Sequence, residues 1–222
     1  MQSGSGRARW FRLWSAAAVA FAVAASGVAS VARASEEAPS ASPPLLKVGD
    51  DAPRFGPMLL HNPAAAGMRT FTLGDFVGDD ASTPAKGVLL SFFASWCGPC
   101  KHELPLLVRL WNEYKSKGLE VVSISIDKTP EQFEKVRAIV AKDRITYPVV
   151  SDRFNLLARR YLGDTVALPA IFLVKPDGTI ALVRQGYSED ASTFLDDAID
   201  KLLGLAPGRA SRARAEASPA RK

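Results

Sequence analysis

Cysteine and histidine are both scarce in this chain, with two of each among 222 residues. The cysteines, Cys97 and Cys100, lie in one short motif. No structural disulfide can therefore form elsewhere, and no separate resolving cysteine is present. Any further partner in thiol exchange has to come from another molecule. A tetrahedral zinc site would need two ligands besides the cysteines. His102 follows the pair, but the other imidazole, His61, is distant in sequence, so no metal is expected. A bridge between cysteines three apart closes too small a loop to add much stability, which points away from a purely structural disulfide.

A basic binding face is missing too. The net charge is +5, but the excess sits at the two ends. Arg7, Arg9, Arg12 and Arg33 belong to the N-terminal segment; Arg209, Arg212, Arg214, Arg221 and Lys222 belong to the tail. Residues 35–208 hold 19 Lys and Arg against 22 Asp and Glu. The central part is mildly acidic, and no nucleic acid is expected as a partner. The composition is that of an ordinary globular protein, which excludes wholesale disorder, and no internal repeat is visible.

Four segments follow. Residues 1–34 read as a signal peptide or membrane anchor: three arginines precede the uncharged stretch 13–32, and Ala32-Arg33-Ala34 offers a small-x-small cleavage site. The stretch is long enough to span a bilayer, but its Ala, Ser and Gly make it a weak permanent span, so cleavage after Ala34 is the expectation and an uncleaved anchor the rival. No cysteine lies there, which excludes lipid attachment at a signal-peptide cysteine. Residues 35–44 read as a flexible Pro/Ser-rich linker, 45–204 as one domain, and 205–222 as a disordered basic tail, solvated or in contact with anionic lipid.

Within the domain, residues 87–93 and 119–126 are apolar runs expected as buried strands. Residues 97–117 predict a helix with Leu104, Leu107, Val108 and Trp111 on one face, kinked by Pro105 in its second turn. Residues 130–142 predict a helix with Thr129 as N-cap and Pro130 first. A short strand over 147–150 and a short helix over 154–161, ending at Gly163, follow. A hairpin of 170–175 and 180–185 turns at Pro176-Asp177-Gly178, and a helix over 190–203 ends at Gly204. The fold class is α/β, a central mixed sheet flanked by helices.

The chemistry is expected at Trp96-Cys97-Gly98-Pro99-Cys100, which follows a buried strand and opens a helix. Unpaired amides and the positive dipole end at a helix N-terminus stabilise a thiolate, the nucleophile in disulfide exchange. The second sulfur can reach back one turn to attack a mixed disulfide. Cys97 is therefore expected to be exposed and nucleophilic, and Cys100 buried and resolving. The pair is itself the redox group, so no other cofactor is expected. Trp96 is expected beside Cys97 on the docking surface, in the core, or both. Lys101 and His102 are expected at the exposed rim.

The stretch Phe92-Phe93-Ala94-Ser95-Trp96-Cys97-Gly98-Pro99-Cys100 resembles the thioredoxin superfamily. Val48-Gly49-Asp50-Asp51-Ala52-Pro53-Arg54-Phe55, Glu103-Leu104-Pro105, and a helix and strand between Thr129 and Val150 resemble its exported TlpA/ResA-like branch. The resemblance covers roughly residues 45–204 and implies a thioredoxin fold with an N-terminal β extension and a central helix–strand insertion. It implies that Pro169 is cis and faces the disulfide, exposing a backbone edge for a client strand. Leu168 departs from the small or β-branched residue usual there. On position alone, Glu103 reads as a surface carboxylate in the helix's first turn. Plain thioredoxin carries its proton-handling aspartate at the position of Ser91, a residue that cannot do that work at neutral pH. The branch has a glutamate at the position of Glu103, which implies proton handling and thiol tuning there.

The function expected is thiol–disulfide exchange in the periplasm or cell envelope, with membrane association possible through the N-terminal segment. Gly98-Pro99 is the thioredoxin dipeptide and favours a reductant; thioredoxin lies at about −270 mV, far below oxidising relatives. The resemblance implies protein disulfide clients, for example apocytochrome c or copper-site cysteines, and a membrane thiol carrier as electron donor. A thiol peroxidase is the alternative enzyme, resembling the opening segment but lacking the Thr/Ser-rich turn expected before a peroxidatic cysteine. A redox-inert binding or chaperone module is the alternative from another class, though such modules commonly lose one cysteine.

The exported form is expected to begin at Ser35. Mass spectrometry of protein from an envelope fraction checks this; a full-length species held in the membrane would favour the anchor.

Overall fold

The computed structural model describes residues 46–206, apart from Thr165. The expected signal segment, the linker and the tail beyond Ala206 lie outside these residues.

The chain runs β1 (Met58–Leu59), α1 (Pro63–Ala66), β2 (Thr70–Phe71), β3 (Gly87–Phe93), α2 (Gly98–Tyr114), β4 (Leu119–Ser125), α3 (Pro130–Lys142), β5 (Val149–Ser151), α4 (Leu156–Leu162), β6 (Ala170–Val174), β7 (Ile180–Gln185) and α5 (Ala191–Leu203). Five strands form one mixed sheet in the order β5-β4-β3-β6-β7. β3 pairs parallel with β4, and β4 with β5; β3–β6 and β6–β7 are antiparallel. Every residue of the central strand β3 is buried, which is why Gly87–Phe93 reads as a continuous apolar run. A parallel neighbour needs a long crossover, and α2 supplies it between β3 and β4.

The opening segment covers both sheet edges. Its two-stranded β1–β2 ladder reaches β5 through the Leu60–Val150 bridge, and residues 49–52 bond to β7 and its turn through Ile180 and Gly178. Unpaired strand edges invite association, so this cover is protective. Asn62 fixes one of these attachments. Its buried amide donates to the carbonyls of Tyr147 (2.8 Å) and Ile145 (3.2 Å) and accepts from Val149 N–H (3.0 Å).

Several boundaries move for identifiable reasons. The strand expected over 147–150 is Val149–Ser151, because Asn62 takes the Tyr147 carbonyl. The helix expected from residue 154 starts at Leu156, because Asn155 takes a left-handed backbone (φ 54°) and the Asp152 carboxylate accepts from Ala158 N–H (2.7 Å). The helix expected over 97–117 is α2 followed by a 3-10 turn at Lys115–Lys117, with Cys97 as its extended N-cap. Pro105 lies inside α2, which continues through it. The buried stripe of α2 is Cys100, Glu103, Leu104, Leu107, Leu110 and Tyr114, whereas the expected Val108 and Trp111 are only partly buried. At α3, Thr129 and Gln132 form a reciprocal capping box ahead of Pro130.

Asn62→Ala is expected to destabilise the domain by roughly 2–3 kcal/mol, since it orphans buried backbone groups. Urea unfolding measures this; a loss of only a few tenths would show that Asn62 does not anchor the extension.

Candidate active site

The site lies where β3 and β4 end and β6 begins. Because β6 runs antiparallel to β3, with Ala170 opposite Phe92, Pro169 stands at the same end of the sheet as the start of α2. The Leu168–Pro169 bond is cis, Pro169 is buried and Leu168 half-buried. The Pro169 carbonyl accepts from Gly186 N–H at 2.8 Å, which ties the segment to the end of β7.

Cys97 and Cys100 are joined by a disulfide, with Cα atoms 5.3 Å apart. As N-cap, Cys97 accepts the Cys100 N–H on its Sγ at 3.2 Å, one of the orphan amides that would stabilise a thiolate at this place. The expectation of an exposed Cys97 needs correction. It is 7% exposed and Cys100 1%. Its sulfur is bonded to that of buried Cys100 and turned back over the helix start as N-cap. The exposed surface around it comes from neighbours. Trp96 is 61% exposed, not a core aromatic, and Gly98, Pro99, Lys101 and His102 are exposed. A Cβ at Gly98 would meet nothing within 4 Å, so its backbone stands open to an approaching chain. Trp96 also lines a groove of about 360 Å³ with Ile126, Lys128, Gln132, Asn155 and Val166.

Glu103 is not a surface carboxylate. It is 2% exposed, one turn beyond Cys100 on the same buried stripe. Burial pushes its carboxyl up to about 7, while the Arg184 guanidinium, 3.9 Å away, works in the opposite direction. Ser91, the position of the plain-thioredoxin aspartate, is buried in β3 and its hydroxyl has no hydrogen-bond partner.

Two features escaped sequence reasoning. One is Arg184. The other is Asp127, fully buried just past β4. Its carboxylate accepts from Ser95 N–H (2.9 Å), Ser95 hydroxyl (2.7 Å) and Ser125 hydroxyl (2.8 Å), fixing the turn that leads into Trp96 and Cys97. A signal existed: Phe93 pairs with Ser125, so continuing that register brings Ser95 opposite Asp127.

A dithiol at such a turn can exchange with another disulfide, and a buried carboxyl near neutrality can exchange protons. Comparison with known proteins points to thiol–disulfide exchange. A model of the AhpC/TSA family matches residues 48–183. The thiol-disulfide oxidoreductase ResA of Oceanobacillus iheyensis is 34% identical over 143 residues, 64% of this chain and 67% of that protein. The ResA of Bacillus thuringiensis is 27% identical over 157 residues, 71% of this chain and 79% of its own. A Chlorobium tepidum structure described as a thiol:disulfide interchange protein DsbE matches with a TM-score of 0.60 at 26% identity, covering 72% of this chain and 99% of that one. Fold and relatives define a thioredoxin-fold thiol–disulfide oxidoreductase whose clients are protein disulfides or dithiols. The chain belongs to the AhpC/TSA family, on its TlpA/ResA-like branch.

Glu103 makes stability depend on pH. Its folded value of about 7 lies above the ordinary 4.5. Between these the folded chain keeps a proton that the unfolded chain has released, so stability falls as pH rises through that window. Glu103→Gln is expected to gain on the order of 1–3 kcal/mol over wild type at pH 8 relative to pH 4. Denaturant unfolding of the oxidised protein measures it. Equal differences at both pH values would show an ordinary carboxyl.

Proposed function

We propose that this chain is an exported reductant of protein disulfides in the cell envelope, with Cys97 as nucleophile, Cys100 as resolving thiol and Glu103 as proton carrier. The observation that carries this reading is the grouping at the start of α2: an N-cap sulfur, a more deeply buried second sulfur, and a buried carboxyl one turn on. The Cys97 thiolate attacks a client disulfide, forming a mixed disulfide and releasing one client thiolate. Cys100 gives its proton to the Glu103 carboxylate, and its thiolate attacks Cys97 Sγ. The Cys97–Cys100 bond forms, the second client thiolate leaves, and two electrons have passed to the client.

Trp96, Gly98 and Pro99 form the docking surface, and the Leu168–Pro169 segment offers backbone to an extended client. The Gly98-Pro99 dipeptide favours reduction as the working direction. In an oxidising compartment the pair then needs a dithiol donor, for which a membrane thiol carrier is suited. Cysteines that must be reduced before haem or copper insertion are fitting clients, as in cytochrome c maturation. The Arg-led apolar segment before Ser35 supports export. Among the described residues, no helix is long and apolar enough to cross a membrane. No metal or cofactor beyond the cysteine pair is needed for these steps.

In the reduced protein, Cys97 is expected to alkylate faster than Cys100 and with a midpoint below that of a free cysteine. A Cys100→Ser variant should accumulate mixed disulfides in its native cell, identifying clients and donor, and Cys97→Ser should not. Equal alkylation of both thiols at every pH would contradict the roles. Peroxide consumption without disulfide reduction would favour the peroxidase.

A further inference from the structure

Arg184 lies on β7 at the edge of the sheet, yet its side chain is only 11% exposed. An arginine on an edge strand ordinarily extends its head into water. The strand registers explain where this one goes. Val149, Ser123, Ser91, Ile171 and Arg184 form one row across all five strands. Residues paired across strands share a face. The row therefore faces the side that α2 covers with Glu103.

The guanidinium is held at one end and open at the other. Nη2 donates to the Ser188 hydroxyl (2.6 Å) and carbonyl (3.4 Å), and Ser188 in turn bonds the Asp190 carboxylate. The corner that supplies these groups is tied to the Pro169 carbonyl through Gly186. Nη1 is buried, has no hydrogen-bond partner, and lies 3.9 Å from Glu103 Oε1. A buried N–H without a partner is costly, and its orientation toward a carboxyl calls for a reason.

Among the described residues, the other groups that helix spacing and strand register place on this side carry no charge. Cys100 comes from α2 itself, and Ser91 comes from β3. From β4 comes Ser123, whose hydroxyl bonds the Tyr147 hydroxyl (3.3 Å), and Tyr147 lies just before β5. Burial raises the Tyr147 phenol far above neutrality, so it stays protonated. Arg184 is the cation that reaches the carboxyl.

We propose that Arg184 is a positioning residue for disulfide exchange: a clamped, buried countercharge against which Glu103 takes and releases the proton of Cys100. The inference rests on the role of Glu103 proposed above. A carboxyl buried among apolar groups alone would stay protonated and leave no carboxylate to take the proton of Cys100. The fixed guanidinium offsets that, and its clamp keeps it at a distance where it does not form a direct hydrogen bond that would hold the carboxyl permanently ionised.

The test is the pH profile for reaction of the reduced full chain with glutathione disulfide, followed to formation of the Cys97–Cys100 bond. Four variants are compared with wild type: Arg184→Met, Arg184→Lys, Glu103→Gln and the Arg184→Met/Glu103→Gln double. Removing an opposite charge at this range should raise the carboxyl midpoint by about one pH unit. Arg184→Met should therefore move the profile alkaline by about that amount and slow exchange several-fold at pH 7. Arg184→Lys should move it less. In the Glu103→Gln background, Arg184→Met should produce no further shift. A merely structural arginine would lower thermal stability and scale the rate equally at every pH. That outcome, or an unshifted Arg184→Met profile beside a shifted Glu103→Gln profile, overturns the inference and leaves Glu103's role standing. An unshifted Glu103→Gln profile overturns both. Should Arg184→Met fail to fold, Ser188→Ala releases the clamp with the charge retained, and an unchanged profile there overturns the inference as well.

Discussion

A carboxyl group turned toward the core of a sheet must find a partner or keep its proton. Glu103 is in that position, and much of the site is arranged around it. It occupies one place in the buried stripe of α2, between Cys100 and Leu107, where a residue of ordinary hydrophobic choice would pack. The sheet beneath places Ser123, Ser91 and Arg184 in one row across its strands. Its burial raises the carboxyl toward neutrality and ties its protonation to the folded state.

The sheet topology gathers the rest. β3 ends where α2 begins, so the helix start and Cys97 sit at one end of the sheet. β6 enters beside β3 in the opposite direction, so Pro169 arrives at the same end. β4 ends beside β3, so Asp127 can reach across and hold Ser95. Rigid strands thus position a short turn whose own residues have little freedom. Trp96 stands exposed beyond that turn.

Much of this was legible in the residues. The apolar runs of β3 and β4 and the caps of α3 follow from local rules, and the observed elements agree with them. The cysteine motif was legible because its chemistry requires a strand-to-helix junction. The burial of Glu103 was half-legible: spacing of three from Cys100 and four from Leu107 places it on the inner face, but a charged residue there argues for the outer one. Arg184 could not be read, because its approach to Glu103 depends on a register across strands distant in sequence. The low exposure of Cys97 was missed because its sulfur turns inward, capping the helix and bonding to that of buried Cys100. Asn62 shifted the start of β5 for a similar reason: a side chain took a backbone bond that the strand pattern assigned to a neighbour.

The central claim is that Glu103 holds and releases a proton near neutral pH within the folded protein. The direct measurement is the carboxyl carbon resonance of Glu103 followed across pH by NMR in the oxidised, isotope-labelled protein, assigned by its absence in Glu103→Gln. The account predicts a midpoint near 7. A midpoint near the ordinary carboxyl value of about 4.3 would contradict it.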